Sequence, residues 1–409
     1  MVEYREWKIE ALTDIWTGDA SQNGNRLIPT GIMGSLRWWF EVLVRGLGGK
    51  ACDPTVQGVR CPNPNKKSTD PGHHCVVCEL FGCTGWARKF RLMILDENDN
   101  VIQGRIKAGT KFVLRFIPLR HVKEEEWCLL DATLRLIAEY GAIGGKTVFK
   151  PSEEWGIADL GEADLENTEN GVRVRRSRKE LPLQQGDIIQ AVDGQTINSI
   201  EGLRDVCASL PHGYRIKVRF IRNNESHEEE MWAGKRHHQD FGLIEIEKSS
   251  DNFSCERERL EAYVQDNRWH KQFDHSTFAW ASLKNFWCVK GEYLARQGAN
   301  ISTFNAVVGR KQDKSVKERR GRKVIRWSDL LARRNDGVSR WLAGSQQESK
   351  KVFSFKNPKS AQRTFGFVKP SLLDFNGIQS RLKQVWGDLK DDEFLYGDLI
   401  IEKLFEGEE

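Results

Sequence analysis

The pattern that most constrains this chain is an element order that opens early and closes late. Trp7 to Leu12 reads as a strand. A helix follows, in which Thr30 can cap the first turn and Ile32, Leu36, Trp39, Phe40 and Leu43 share one face. Arg37, Glu41 and Arg45 line another face at four-residue spacing, and Gly46, Gly48 and Gly49 stop the helix. Lys89 to Asp96 and Lys111 to Leu119 alternate as a strand pair about an Asp/Asn turn. A second helix runs from Glu124 to Tyr140, with three glutamates at its start, where the helix dipole favours them. The strand that completes the set, Phe241 to Glu247, comes about a hundred residues later.

Strand, helix, strand pair, helix and closing strand predict an α+β domain of the ferredoxin-like kind. The residues in between must then form a unit of their own, and their texture differs. Residues 154–233 hold fifteen acids against ten bases. Gly186 to Gly194 reads as turn, strand and tight turn. Ser199 can cap a helix carrying Leu203, Val206, Cys207 and Leu210 on one side, and Tyr214 to Ile221 alternates again. Residues 234–409 read as helix-rich and basic, with helices expected over Phe278–Leu294 and Ile378–Leu389. The net charge of +5 therefore divides into −5 for the insert and +10 for the rest, of which 234–370 alone carries +13. A length of 409 residues suits two or three domains. The apolar share, 39%, excludes a disordered chain. No apolar run is long enough to span a bilayer and no secretory signal is visible, so a cytoplasmic protein with no membrane partner is expected.

Nine cysteines in a large chain argue against a disulfide framework. Cys52, Cys61, Cys75, Cys78 and Cys83 cluster beside His73 and His74. Cys75 and Cys78, two residues apart, can grip one Zn²⁺, with Cys61, Cys83 or His74 completing a tetrahedron; a structural zinc is expected. Gly141 to Thr147 falls short of a phosphate-binding P-loop, because Tyr140 stands where the first glycine belongs and the loop follows a helix. Its glycines let backbone approach something closely, a phosphate backbone being one candidate. Arg310 to Arg326 holds nine cations and two acids, so Arg310, Lys311, Arg319 and Arg320 are expected to neutralise phosphates. Lys350, Lys351, Lys356, Lys359 and Arg363 follow, mixed with Phe353, Phe355, Phe365 and Phe367, a pattern that suits single-stranded nucleic acid. His237 and His238 can act as an acid–base pair for RNA cleavage, although a polar loop is the plainer reading.

Several stretches together carry a resemblance: Thr30 to Phe40, Cys75 to Ala87, Gly144 to Thr147, His238 to Gly242, Trp280 to Trp287, Ser349 to Phe355 and Arg363 to Phe367. They resemble the RAMP superfamily and, within it, the subunit-one family of the Cmr complexes of type III-B CRISPR effectors. The resemblance implies two ferredoxin-like (RRM-like) domains, over 1–153 plus 234–255 and over 256–409. It implies a non-catalytic subunit that binds guide RNA and target RNA at the end distal to the 5′ tag, among other Cmr-type RAMP subunits. Arg37, Lys146, His238, Lys350, Lys351 and Arg363 are the RNA contacts it implies. A guide-processing endoribonuclease using His237 or His238 is the competing expectation. Within 154–233, Gly186 to Ile189, Val192 to Ile197 and Ser199 to Leu210 resemble a PDZ domain of the bacterial protease-associated kind. That resemblance implies a groove for a protein C-terminus, with Trp155, Gly156 and Ile157 as the carboxylate loop and Leu203 and Val206 in its wall.

Overall fold

The computed structural model describes residues 4–19, 24, 26–53, 59–147, 156–157, 160–177, 181–209, 215–233, 240–250, 253, 255–271, 279–294, 296–297, 301–312, 315–319, 322–326, 331–333, 336–344 and 349–405. The first domain contains β1 (Arg5–Ala11), α1 (Pro29–Gly46), α2 (Val76–Phe81), β2 (Phe90–Leu95), β3 (Lys111–Pro118) and α3 (Glu124–Tyr140). The insert follows as β4 (Leu165–Thr168), β5 (Gly171–Val174), β6 (Ile188–Val192), β7 (Gln195–Thr196), α4 (Ile200–Ser209), β8 (Arg215–Arg222) and β9 (Glu225–Trp232). β10 (Ile244–Ser249) then returns to the first domain and pairs with β1. The resulting antiparallel sheet has the order β10-β1-β3-β2, which is the ferredoxin-like arrangement with its fourth strand delayed by the insert. Thr30 does not cap α1; the helix starts at Pro29, whose missing N–H suits a first turn, and Ile28 precedes it without a side-chain cap.

The second half brings α5 (Arg257–Gln265), β11 (Phe286–Lys290), β12 (Arg296–Gln297), β13 (Ile301–Ser302) and α6 (Thr303–Val307). β14 (Arg310–Gln312), β15 (Ser315–Arg319), β16 (Arg322–Arg326) and β17 (Leu331–Arg333) follow, then α7 (Gly337–Ala343), β18 (Val352–Phe355), β19 (Arg363–Phe367), α8 (Phe375–Lys383), β20 (Phe394–Tyr396) and α9 (Gly397–Phe405). Its main sheet, β18-β19-β11-β20, repeats the ferredoxin-like order read from the other edge. The helix expected over Phe278–Leu294 is therefore corrected. That stretch gives a 3-10 turn at Leu283–Asn285 and the inner strand β11, in which Phe286 to Val289 are all buried. A continuous apolar run of this length serves a buried strand as well as a helix.

Helix α1 explains why the two sheets share one core. Its Trp39 lies 5.9 Å from Phe286 and 5.8 Å from Phe365, ring centre to ring centre, and Trp38 lies 5.7 Å from Phe367. Arg45 donates to the Ala281 carbonyl across the same seam. Gly46 is required there, since a Cβ would come within 2.5 Å of the Leu283 Cβ. The insert has a separate core built on Ile157, Val172, Ile189, Leu203, Val218 and Phe220. Ser199 caps α4 as expected, accepting from the Gly202 N–H at 3.0 Å. The buried Asp187 accepts from Arg222 and from the Gln184 N–H, which gives the Gly-Asp pair a structural role. Cys128 of α3 and Cys255 ahead of α5 are joined as a disulfide with Cα atoms 6.2 Å apart, a pairing the sequence does not lead one to expect.

Candidate metal centre and nucleic-acid interface

Cys52 follows α1, Cys61 lies in the loop beyond it, and Cys75 and Cys78 open α2. All four are buried, and their sulfurs lie within 4.8 Å of one another. Four thiolates at Zn–S distances of about 2.3 Å would stand about 3.8 Å apart, so the cage fits one tetrahedral ion. The Cys75 N–H donates to the Cys61 sulfur at 3.3 Å, and Cys52 and Cys78 sulfurs are 3.5 Å apart. Hydrogen bonding with Cys52 opposes ionisation of Cys78, but Cys61, Cys75 and Cys83 outweigh it and hold that thiol down at about 4. The thiolate is the form that ligates metal, and the hydrogen bonds that favour it at Cys78 come from within this cluster.

This corrects two expected ligands. His74 spends both ring nitrogens elsewhere, Nε2 on Glu79 at 2.6 Å and Nδ1 on His73 at 2.9 Å. Cys83 lies outside the foursome, and its bond to Cys78 pushes its own thiol up. Cys52 is the member of the foursome that pair spacing misses, because it follows α1 and only the fold brings it back to α2.

Arg37 is also relocated. Its guanidinium donates to the Cys78 sulfur at 3.2 Å, the Cys52 sulfur at 3.6 Å, the Gly82 carbonyl and Glu41. Burial works against its charge, yet the Cys78 sulfur and Glu41 hold it protonated more firmly than usual. With most of its donors spent on the cysteine cage, the Gly82 carbonyl and Glu41, Arg37 braces the loop that carries the cysteines. The loop is pinned again on its other side. Glu79 of α2 binds Lys89, Lys89 binds Glu126 of α3, and Glu126 accepts from the Tyr263 hydroxyl of α5 at 2.9 Å. Burial opposes the Glu79 charge, but His74 and Lys89 overcome it and hold the carboxyl at about 2.

The cations named from sequence divide sharply. Lys146 is exposed, at a left-handed φ of 56°, with its amine 4.6 Å above the Trp16 ring. The glycines before it are explained by internal packing: at Gly144, φ 86°, a Cβ would lie 2.7 Å from the Trp16 carbonyl, and the Gly145 N–H donates to that carbonyl. The close approach expected of this loop is thus to the segment that follows β1, with Lys146 presented beyond it.

Lys351, by contrast, is 0% exposed, with its amine 4.6 Å from the Trp280 ring and 5.4 Å from Trp341. Arg363 is 4% exposed and donates to the Ala138 carbonyl at the C-terminal end of α3, so it clamps the two domains. Neither can meet RNA. The four phenylalanines beside them are buried too, Phe353 stacking on Phe365 at 4.8 Å, because β19 has both faces covered. They belong to the core and cannot stack bases. Lys350 is half-buried, its amine 5.3 Å over Phe304. Asp240, from the His-Gln-Asp-Phe-Gly stretch, accepts from the N–H groups of Lys356 and Asn357 and ties the insert's exit to the second domain. His237, His238 and Arg320 lie outside the described residues.

Arg310 and Lys311 lie on β14, which pairs with β17, and Arg319 lies on β15, which pairs with β16, two separate antiparallel pairs. The β15–β16 register pairs Lys317 with Val324, Arg319 with Arg322 and Ser315 with Arg326.

In the insert, Gly156, Ile157 and Leu203 are buried and Val206 is half-buried; Ile157 and Leu203 belong to its core. Trp155 lies outside the described residues. No described helix is long and apolar enough to cross a membrane.

Residues 8–149 match the family model of the RAMP superfamily, and residues 158–230 match that of the PDZ domain. A search of curated proteins finds no match. Among solved structures the chain is similar to Cmr1 from Pyrococcus furiosus (16% identity, TM-score 0.23), over 35% of this chain and 45% of that one. It is similar to a Csm3–Csm4 subcomplex chain of a type III-A CRISPR–Cas interference complex (17% identity, TM-score 0.20), over 35% of this chain and 69% of that one. It is similar also to the HtrA-type protease AlgW with decapeptide (13% identity, TM-score 0.15), over 36% of this chain and 41% of that one. The match thus spans less than half the length of the Cmr1 chain.

Proposed function

We propose, for a chain whose residues 8–149 belong to the RAMP superfamily and whose residues 158–230 belong to the PDZ domains, a non-catalytic RNA-binding subunit of a type III-B CRISPR effector. It binds guide RNA and target RNA at the end distal to the 5′ tag, beside other RAMP subunits. The supporting observation is the exposed Lys146, carried by the glycine loop at the end of the RAMP match and set over Trp16. An exposed ammonium held over an indole can meet a phosphate. The cation-rich run Arg310 to Arg326 extends the same chemistry. Zinc fills the Cys52, Cys61, Cys75 and Cys78 cage and holds the loop after α1, a structural ion with no open position for chemistry. The acidic insert takes a protein C-terminus, since its charge disfavours RNA.

Filter binding of single-stranded RNA across a salt series tests the reading. Lys146→Ala should weaken binding and flatten the log–log salt slope by about 0.7, one phosphate contact on a single strand. Unchanged affinity and slope would move the interface elsewhere. Specific cleavage of repeat RNA by the purified chain, lost on His238→Ala, would replace this reading with the endoribonuclease.

A further inference from the structure

The Cys128–Cys255 disulfide stands apart from the cysteine cage. Cys128 lies in the second turn of α3, and Cys255 two residues ahead of α5. Their Cα atoms, 6.2 Å apart, are within the span a disulfide bridges. The other seven cysteines are unbridged, and four of them form the cage. A chain that keeps those thiols works where thiols survive, so a disulfide in the same molecule stands under reducing pressure. Its two members are unequally placed: Cys128 is buried and Cys255 half-buried, so exchange enters at the Cys255 sulfur.

Helix α5 carries the consequence. Apart from the disulfide, its start is held on α3 by Arg259, which pairs with Glu124 and Glu125 near the surface, where ion pairs contribute little. The Tyr263 hydroxyl adds one buried bond to Glu126. The far end of α5 and the residues after it grip the loop that bears the cysteines. The Gln265 amide donates to the Leu47 carbonyl at 2.8 Å, just past α1. The Gly72 N–H donates to the Arg268 carbonyl at 2.9 Å, and the His270 N–H donates to the carbonyl of His74, the neighbour of Cys75, at 2.8 Å. One end of α5 is thus bound covalently to α3, and the other holds the loop of the cage.

We propose that Cys128 and Cys255 form a redox clasp: closed, it holds α5 on α3 and the cysteine-bearing loop under α5; open, it lets both loosen. Opening is thiol–disulfide exchange with a small thiol of the glutathione kind. Its thiolate attacks the Cys255 sulfur, the bond between the two cysteines breaks, and Cys128 leaves as a thiolate and takes up a proton. A second small thiol then displaces the first from Cys255. Two electrons and two protons have passed to the protein, which holds two thiols, and one small disulfide is released. Closure is the reverse, with that small disulfide as the oxidant. The clasp needs no metal, so it stands independently of the zinc reading.

The test incubates the full chain in oxidised or in reduced glutathione, quenches it with acid and alkylates it for peptide mapping. The oxidised chain should yield a linked Cys128–Cys255 peptide, and the reduced chain the two alkylated ones. Because the insert lies between the two cysteines, a single cut within it should leave the oxidised chain in one piece on a denaturing, non-reducing gel and the reduced chain in two. Limited proteolysis between residues 47 and 88 should run about threefold faster in the reduced chain, since cleavage follows the population of the opened loop. Cys255→Ser should be cut at that faster rate in both buffers. No linked peptide at any glutathione ratio would overturn the clasp, and so would a link that survives excess reduced glutathione, which makes it a fixed brace. Slow cleavage of oxidised Cys255→Ser would also overturn it, because the cage cysteines would then be the ones responding. Two rates in a chain that holds no zinc would support the clasp and sink the zinc reading; one zinc per chain with equal rates would do the opposite. Should Cys255→Ser fail to fold, the two rates of the parent decide.

Discussion

Lys146 and Arg363 look alike as cations in glycine- or phenylalanine-rich surroundings, yet they end in opposite environments. The first is exposed on a loop; the second is buried with its guanidinium on the Ala138 carbonyl. Arg363→Ala would leave that carbonyl unpaired inside the seam between the sheets. We expect a loss of about 2–3 kcal/mol in urea unfolding, the range for a charge-assisted hydrogen bond and the group it abandons. The same variant should keep the parent's RNA salt slope wherever it remains folded. A flattened slope would show that Arg363 reaches phosphate after all. Charge type was readable at each of these positions; exposure was not, because it depends on what covers the neighbouring strand.

At the scale of elements, α2 is six residues long and too short to stand alone. Its place is set by Cys75 and Cys78 on one side and by Glu79 with Lys89 on the other. Removing metal should therefore free the loop between α1 and β2 while the sheet persists. We expect elemental analysis to find one zinc per chain and a strong chelator to raise proteolysis within residues 50–88. Cys52→Ser should lower zinc content to the same extent as Cys75→Ser, whereas Cys83→Ser should retain it. Equal zinc in the Cys52 and parent proteins would break the four-cysteine assignment. The helix from Glu124 to Tyr140 was legible to the residue, since its period is local. β11 was not, because an inner strand buried on both faces loses the alternation that marks strands.

For the whole molecule, one hydrophobic core runs through both ferredoxin-like sheets, and the insert keeps a second core of its own. Two cores predict two cooperative units. Calorimetry of the full chain should show two transitions. Replacing residues 156–233 with a short Gly/Ser linker should remove one and shift the other by only a few degrees. A single transition in the parent, or collapse of the remainder, would mean that the insert is an integral support. RNA affinity should survive the excision, as the removed part is the acidic one.

The amino-acid order alone determined the ferredoxin-like first domain, the foreign unit lodged before its last strand, and the cysteine cluster. Each of these rests on short-range periodicity, turn chemistry or spacing, which a chain displays without being folded. The tertiary structure decided which cations face water, that the phenylalanines of β18 and β19 are core, that Cys52 and not His74 completes the cage, and that Arg37 serves it. Those outcomes depend on α1 packing between two sheets. Burial and coordination are set by groups distant in sequence, and no local pattern encodes which of them will meet.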